Sequence, residues 1–142
     1  MVALASLVVT EPPTVSALSG KRTVVLTRDG DGAGVCSRCK VADTMLTRMR
    51  GLLGRKELPP GDGMLIRPSP SVHTFFMAFP IDVVFLDRDG KVLKVREDLR
   101  PWRTAGCRRA HSTLELAAGE ARRHGIAVGD RLVAQPIPDR QE

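Results

Sequence analysis

Tyrosine is missing from this 142-residue chain and tryptophan occurs once, at Trp102. With only four phenylalanines besides, few side chains remain for stacking on bases or sugars. No apolar run approaches the roughly 20 residues that a membrane-spanning helix needs, so no helical span is expected. Cysteine is scarce and odd in number, at Cys36, Cys39 and Cys107. That count argues against a disulfide framework and fits a reducing compartment. The opening residues 1–11 are apolar but lack the basic n-region of a secretory signal, although Ala17-Leu-Ser19 resembles a cleavage site. A cytoplasmic location is therefore expected, with export as the alternative.

What the chain does contain suits one soluble domain. Hydrophobic residues make up 42% and charged residues 27%, ordinary values for a globular protein with a single core. Residues 1–20, with Pro12-Pro13 and no useful periodicity, are expected to form a flexible leader, residues 21–136 the globular domain and 137–142 a tail. The net charge of +6 is concentrated. Residues 88–109 hold eight basic against three acidic side chains, with Arg96, Arg100, Arg103, Arg108 and Arg109 around Trp102. Such a patch attracts nucleic acid, anionic lipid or acidic proteins, while a solvated arginine-rich face is the plainer reading.

All four phenylalanines, Phe75, Phe76, Phe79 and Phe85, fall within eleven residues, which marks that window as the expected centre of the core. Strands are expected at 23–27, to about Ala42, at 64–66, through 73–79, at 83–86, 91–95, 112–116 and 131–134. Asp43 offers an N-cap for a short helix bearing Met45, Leu46, Met49, Leu52 and Leu53, and Ala117 to His124 suggests a second, stopped by Gly125. The turn after β-like residues 82–87 is read as a three-residue loop, Arg88-Asp89-Gly90, with Gly90 left-handed. That register sets Asp87 opposite Lys91, Asp82 opposite Arg96 and Phe85 against Leu93, and it avoids facing Asp82 with Glu97. Together these elements describe an α+β, mostly β domain: a curved, largely antiparallel sheet or partly closed barrel with two short helices.

The motifs that carry chemistry are few. Asp29-Gly-Asp-Gly-Ala-Gly34 begins like a calcium loop but has Lys40 where a bidentate glutamate belongs, and reads as a turn. Cys36-Ser-Arg-Cys39 is half a zinc site, yet Cys107, His73 and His111 form no second pair, and the dithiol lies in a strand rather than at a helix start. No metal and no cofactor are expected. His73 and Asp82 sit in the aromatic stretch and Glu115 lies between Leu114 and Leu116. On a strand through 73–79, His73 shares a face with Phe75, Met77 and Phe79. A histidine and two carboxylates on neighbouring strands suit an acid–base or ligand site; the structural alternative is that each pairs with a backbone amide or an arginine.

Several segments in order resemble a known family, the one catalogued as domain of unknown function 192. They are Arg50-Gly-Leu-Leu-Gly-Arg55, Gly63-Met-Leu-Ile66, His73-Thr-Phe-Phe-Met77, Pro80-Ile-Asp-Val-Val-Phe-Leu-Asp87 with Gly90, Leu114-Glu-Leu-Ala-Ala-Gly119 and Gly125-Ile-Ala-Val-Gly-Asp130. Members commonly carry tryptophan where Phe76 stands, and this chain resembles the His-Thr-Phe variants. The resemblance implies a compact, mostly β domain with a strongly bent sheet, and brings no accepted activity. Many relatives carry an export signal or lipid anchor. The function expected is non-enzymatic binding of a small ligand or protein partner at a pocket rim near His73, Asp82 and Glu115, with Arg55 and Met77 beside it. A hydrolase-like or metal-assisted enzyme on the same residues is the alternative, and weak nucleic-acid binding through the basic segment ranks third because only one aromatic lies in it.

Overall fold

The computed structural model describes residues 23–43 and 55–137. Among these, nine strands follow the order β1 (Thr23–Arg28), β2 (Gly34–Ala42), β3 (Asp62–Ile66), β4 (Ser71–His73), β5 (Ile81–Leu86), β6 (Val92–Leu99), β7 (Thr104–Gly106), β8 (Ser112–Ala117) and β9 (Leu132–Pro136). One short helix, α1 (Glu120–Arg123), precedes β9. Seven strands form a sheet in the order β6-β5-β8-β3-β2-β1-β9, and β4 pairs with β7 separately. Every pairing is antiparallel except β2 with β3. Their connection through residues 43–61 has the length that a parallel crossover demands.

The large sheet curls until its two edges meet. Lys91 bridges Arg131, the Val92 amide donates to Asp130 at 2.7 Å, and the Leu132 amide donates to Gly90 at 2.9 Å. The result is the partly closed, mostly β architecture that the sequence led us to expect. Of the two expected helices, the one within the described residues is shorter than expected. The segment after Asp43 lies outside the described residues, and the second helix shrinks to one turn. Ala117 still belongs to β8, and Gly119, at φ 91°, turns the chain before α1 begins.

Two apolar clusters explain the strand sequences. The first fills the concave side, where Leu65, Val84, Leu86, Leu114 and Leu116 meet Val24, Leu26, Val35, Leu132 and Ala134. The second covers the convex side, where Met64, Ile66, Ile81, Val83 and Phe85 meet Leu58, Val72, Met77 and Leu99. β5 is consequently buried at every position, as its uninterrupted apolar text predicts. The small β4–β7 sheet packs on this convex face: Lys94 donates to the Gly106 carbonyl at 2.9 Å, with its ammonium 5.9 Å from the centre of the Phe85 ring.

The phenylalanines correct the sequence reading. Phe85 is fully enclosed and Phe79 packs against the convex cluster, but Phe75 is 36% and Phe76 76% exposed. The strand expected through 73–79 ends at His73, because Thr74 turns the chain. The β5–β6 hairpin is right at its tip and wrong beyond it. The Asp87 amide donates to Lys91 across the three-residue loop, and Gly90 is left-handed at φ 84°. Irregularities in β6 then shift the register, so Phe85 faces Lys94 and Val83 faces Arg96. The expected Asp82–Arg96 pair does not form.

Asp82 is satisfied by backbone instead. It is fully buried, and its Oδ1 accepts the Asp98 amide at 2.8 Å. Its Oδ2 accepts the Gly119 and Ala121 amides at 3.0 and 2.9 Å. One carboxylate thus caps α1 from a neighbouring strand and fixes the bend in β6, where Asp98 holds a positive φ of 52°. Hydrogen bonds to a charged acceptor are worth about 1.5–3 kcal/mol each. Asp82→Asn, which replaces one acceptor by a donor, should lower the unfolding free energy by about 2 kcal/mol in a urea titration. An unchanged midpoint would show that water meets these amides equally well.

Candidate functional site

The structure separates the polar trio. Val83 is the register partner of Glu115, and Asp82 that of Leu116. Register partners share a face and neighbours along a strand alternate, so Asp82 points into the concave core and Glu115 into the convex layer. His73 closes β4 and is exposed, its register partner being Thr104 of β7. Met77 is buried in the convex cluster. Arg55 is half-buried and lines a cleft of about 110 Å³ with Thr23, Arg38, Lys40, Asp62 and Gly63.

His73 belongs to a different assembly. Its ring stacks on Phe75 with centroids 5.0 Å apart, Phe75 lies 5.8 Å from Trp102, and Phe76 meets Trp102 edge-on at 4.7 Å. Four rings, from the end of β4 and two loops, therefore form one platform. Trp102 is 55% exposed, and Phe76 more so. Both hold left-handed backbone, at φ 64° and 65°, a region that bulky residues enter at a cost of roughly 1–3 kcal/mol. Leaving each ring in water forgoes about 2 kcal/mol of burial. The ring contacts with Trp102 return only part of these costs, about 0.5–1.5 kcal/mol per aromatic pair.

Thr74 holds the two loops together. It is fully buried; its amide donates to Arg103 at 2.8 Å, and its carbonyl accepts the Trp102 and Met77 amides at 3.0 and 3.2 Å. Its hydroxyl donates to the Arg100 carbonyl at 2.6 Å and accepts the Arg103 amide at 2.9 Å. A single threonine thus ties the turn bearing Phe75 and Phe76 to the turn bearing Trp102. The sequence carried one signal of this: adjacent aromatics cannot both face one side of a strand.

Along the chain, the basic segment brackets the platform's second loop. Arg96, Arg100, Arg103, Arg108 and Arg109 are exposed. Farther along, His111 is held below its ordinary pKa by burial first, then by the charges of Arg88 and Arg67. The cysteine pair lies elsewhere. An irregularity in β2 pairs Cys39 with Val24 and Cys36 with Leu26, so both thiols enter the concave core. The neighbouring thiol lowers the pKa of Cys36 and, with burial, raises that of Cys39; the Cys36 thiol donates to the Gly61 carbonyl at 3.4 Å. Among the described residues, no three His, Cys, Asp or Glu side chains gather in a metal-binding group, and no helix is long and apolar enough to cross a membrane.

Glu115 is the uncompensated group in the convex layer. Its Oε2 has no hydrogen-bond partner among the described residues, and burial pushes its pKa up from 4.5 to about 7. A folded-state pKa above the unfolded value gives stability that is complete below pH 4.5 and is lost as pH rises to about 7. The loss amounts to about 3 kcal/mol. Glu115→Gln should flatten the pH–stability profile in that window, measured by urea unfolding at stepped pH. A wild-type profile already flat from pH 4.5 to 7 would count against a buried neutral carboxyl.

Comparison with known proteins places this geometry. The model of the DUF192 family, described as an uncharacterized ACR, matches residues 24–134. A UPF0127 protein of Thermococcus kodakarensis is 29% identical over 74% of this chain and 69% of its own length. One of Pyrococcus abyssi is 30% identical over 67% of this chain and 84% of its own. A Thermococcus sibiricus relative is 40% identical over 46% of this chain, which spans only 45% of that relative's length. Among solved structures, a Sinorhizobium meliloti protein provisionally described as a transcription regulator is similar at TM-score 0.69 and 27% identity, over 79% of this chain and 92% of that one. A Novosphingobium aromaticivorans protein of unknown function is similar at TM-score 0.69 and 25% identity, over 87% and 93%. With its family match covering the curled sheet from β1 to β9, the chain belongs to the uncharacterised DUF192 family.

Proposed function

We propose that this protein is a binding module whose recognition surface is the platform of His73, Phe75, Phe76 and Trp102. The observation that carries the reading is the pairing of exposure with strain at Phe76 and Trp102. Large rings held in water on left-handed backbone cost the fold free energy, and a partner that covers them returns it. Arg100 and Arg103 flank Trp102 and suit a partner that carries negative charge beside flat or apolar groups. The reading keeps His73 at the rim but moves Asp82 and Glu115 out of the site. An acid–base enzyme on the trio is less well supported, since Asp82 spends its lone pairs on three amides and Glu115 faces the other side of the sheet.

The test exploits the trade between stability and recognition. Phe76→Gly relieves the positive φ and removes an exposed ring, so the urea midpoint should stay within about 1 kcal/mol of the wild type. Thr74→Val, which breaks the staple beneath the platform, should cost about 1–2 kcal/mol and shift the emission of Trp102. A loss well above 3 kcal/mol on Phe76→Gly would show that the ring serves folding, and the proposal would fail.

A further inference from the structure

We infer that the platform takes single-stranded nucleic acid, its rings stacking on bases while arginines from β6 and the loops around β7 bind the phosphates; this rests on the platform being the recognition surface. The sequence argued against such a partner because one aromatic lies in the basic segment. Folding removes that objection: the Thr74 staple brings Phe75 and Phe76 against Trp102, with His73 stacked on Phe75. Four flat rings at spacings of 4.7–5.8 Å now stand beside the cationic loop. Stacking on exposed rings next to positive charge is the means by which proteins hold single strands without reading sequence.

Charge supports the same occupant. Among the described residues, no carboxylate forms an ion pair with Arg96, Arg103, Arg108 or Arg109. Arg100 has only a loose contact with Asp98, at 3.9 Å between largely exposed groups. From Arg103, the three residues of β7 carry the chain roughly 10 Å to Cys107 and the Arg108-Arg109 pair. A shallow groove lined by Pro70, Ser71, Gly106, Cys107 and Arg108 lies there. Arg103 and Arg108 thus stand at the two ends of β7, with room for a footprint of about four nucleotides, while Arg109 lines a separate cleft with Asp87, Arg88 and Asp89. A lipid surface fits less well, because the loop tips add only Ala78, Pro80 and Pro101 to the rings, with no long aliphatic side chain to enter a bilayer.

Trp102 is the sole tryptophan and tyrosine is absent, so the protein's intrinsic emission reports on the platform alone. The experiment is a titration of the full chain with a single-stranded deoxythymidine oligonucleotide, followed by Trp102 emission at stepped salt. In parallel come the matching duplex, a polyglutamate peptide and anionic phospholipid vesicles. We expect quenching by the single strand, tighter than for the duplex, whose bases are already stacked. Affinity should fall with salt at a log–log slope of roughly −2 to −3, as for three or four phosphates at about 0.7 each. Phe76→Ala should weaken binding at least tenfold at every salt concentration, and Arg103→Ala should make the slope shallower by about 0.7. A response to peptide or vesicles that equals or exceeds the response to the oligonucleotide would overturn this inference and leave the binding surface standing. No response to any of the four probes would overturn the inference too, and the Phe76→Gly and Thr74→Val measurements would then decide the platform's role separately.

Discussion

Strands buried on both faces impose a strict rule on every polar residue within them, and β5 and β8 show both outcomes of that rule. Curling the sheet encloses a concave core, and the convex side is roofed by the β4–β7 pair and its loops. A carboxylate in such a strand has no route to water on either side. Asp82 escapes the penalty because the bend in β6 and the start of α1 bring three amides to it. Glu115, one register row away and facing the opposite side, finds no partner for Oε2 and is driven toward its neutral form. The same pattern of one acidic residue among aliphatic neighbours therefore ends as a fastener in one strand and a carboxyl with a raised pKa in the next.

Much of this fold is legible in the sequence because burial has a period. The runs at 64–66 and 83–86 are apolar on consecutive residues, which only a strand covered on both faces accepts. The left-handed Gly90 and the three-residue loop follow from turn chemistry, and the Asp87–Lys91 pairing follows from the loop. Irregularities in pairing are what the text hides. A residue absorbed without a partner flips every side chain beyond it; Leu93 was expected against Phe85, which instead faces Lys94. The same effect in β2 sets Cys36 and Cys39 on one side, although residues three apart alternate in a regular strand.

The candidate site was less legible, for a different reason. Reading Phe75 and Phe76 as core rests on the rule that aromatics are buried, and the rule fails here because the turn at Thr74 leaves both rings at the surface. The polar trio looked convincing because each member interrupts an apolar run, yet sheet register alone decides which interruptions meet. His73 lies apart from Asp82 and Glu115, beside Phe75. Its companions are rings delivered by two loops, and no local pattern announces that Thr74 will bind residues 100–103, about 26 positions later.

That long-range staple also explains why strain persists at the platform. A lone residue at positive φ in a surface loop relaxes unless its neighbours fix it. Here Trp102 and Met77 both donate to the carbonyl of Thr74, and Thr74 is itself sealed from water. Relaxing Phe76 would disturb the turn that closes on that carbonyl, and relaxing Trp102 would break its bond to the same oxygen. The two strained rings are thus coupled through one buried residue, so the platform is held as a unit. A surface pre-formed in this way spends little ordering entropy on binding, and two flexible loops carrying the same four rings would have to spend it.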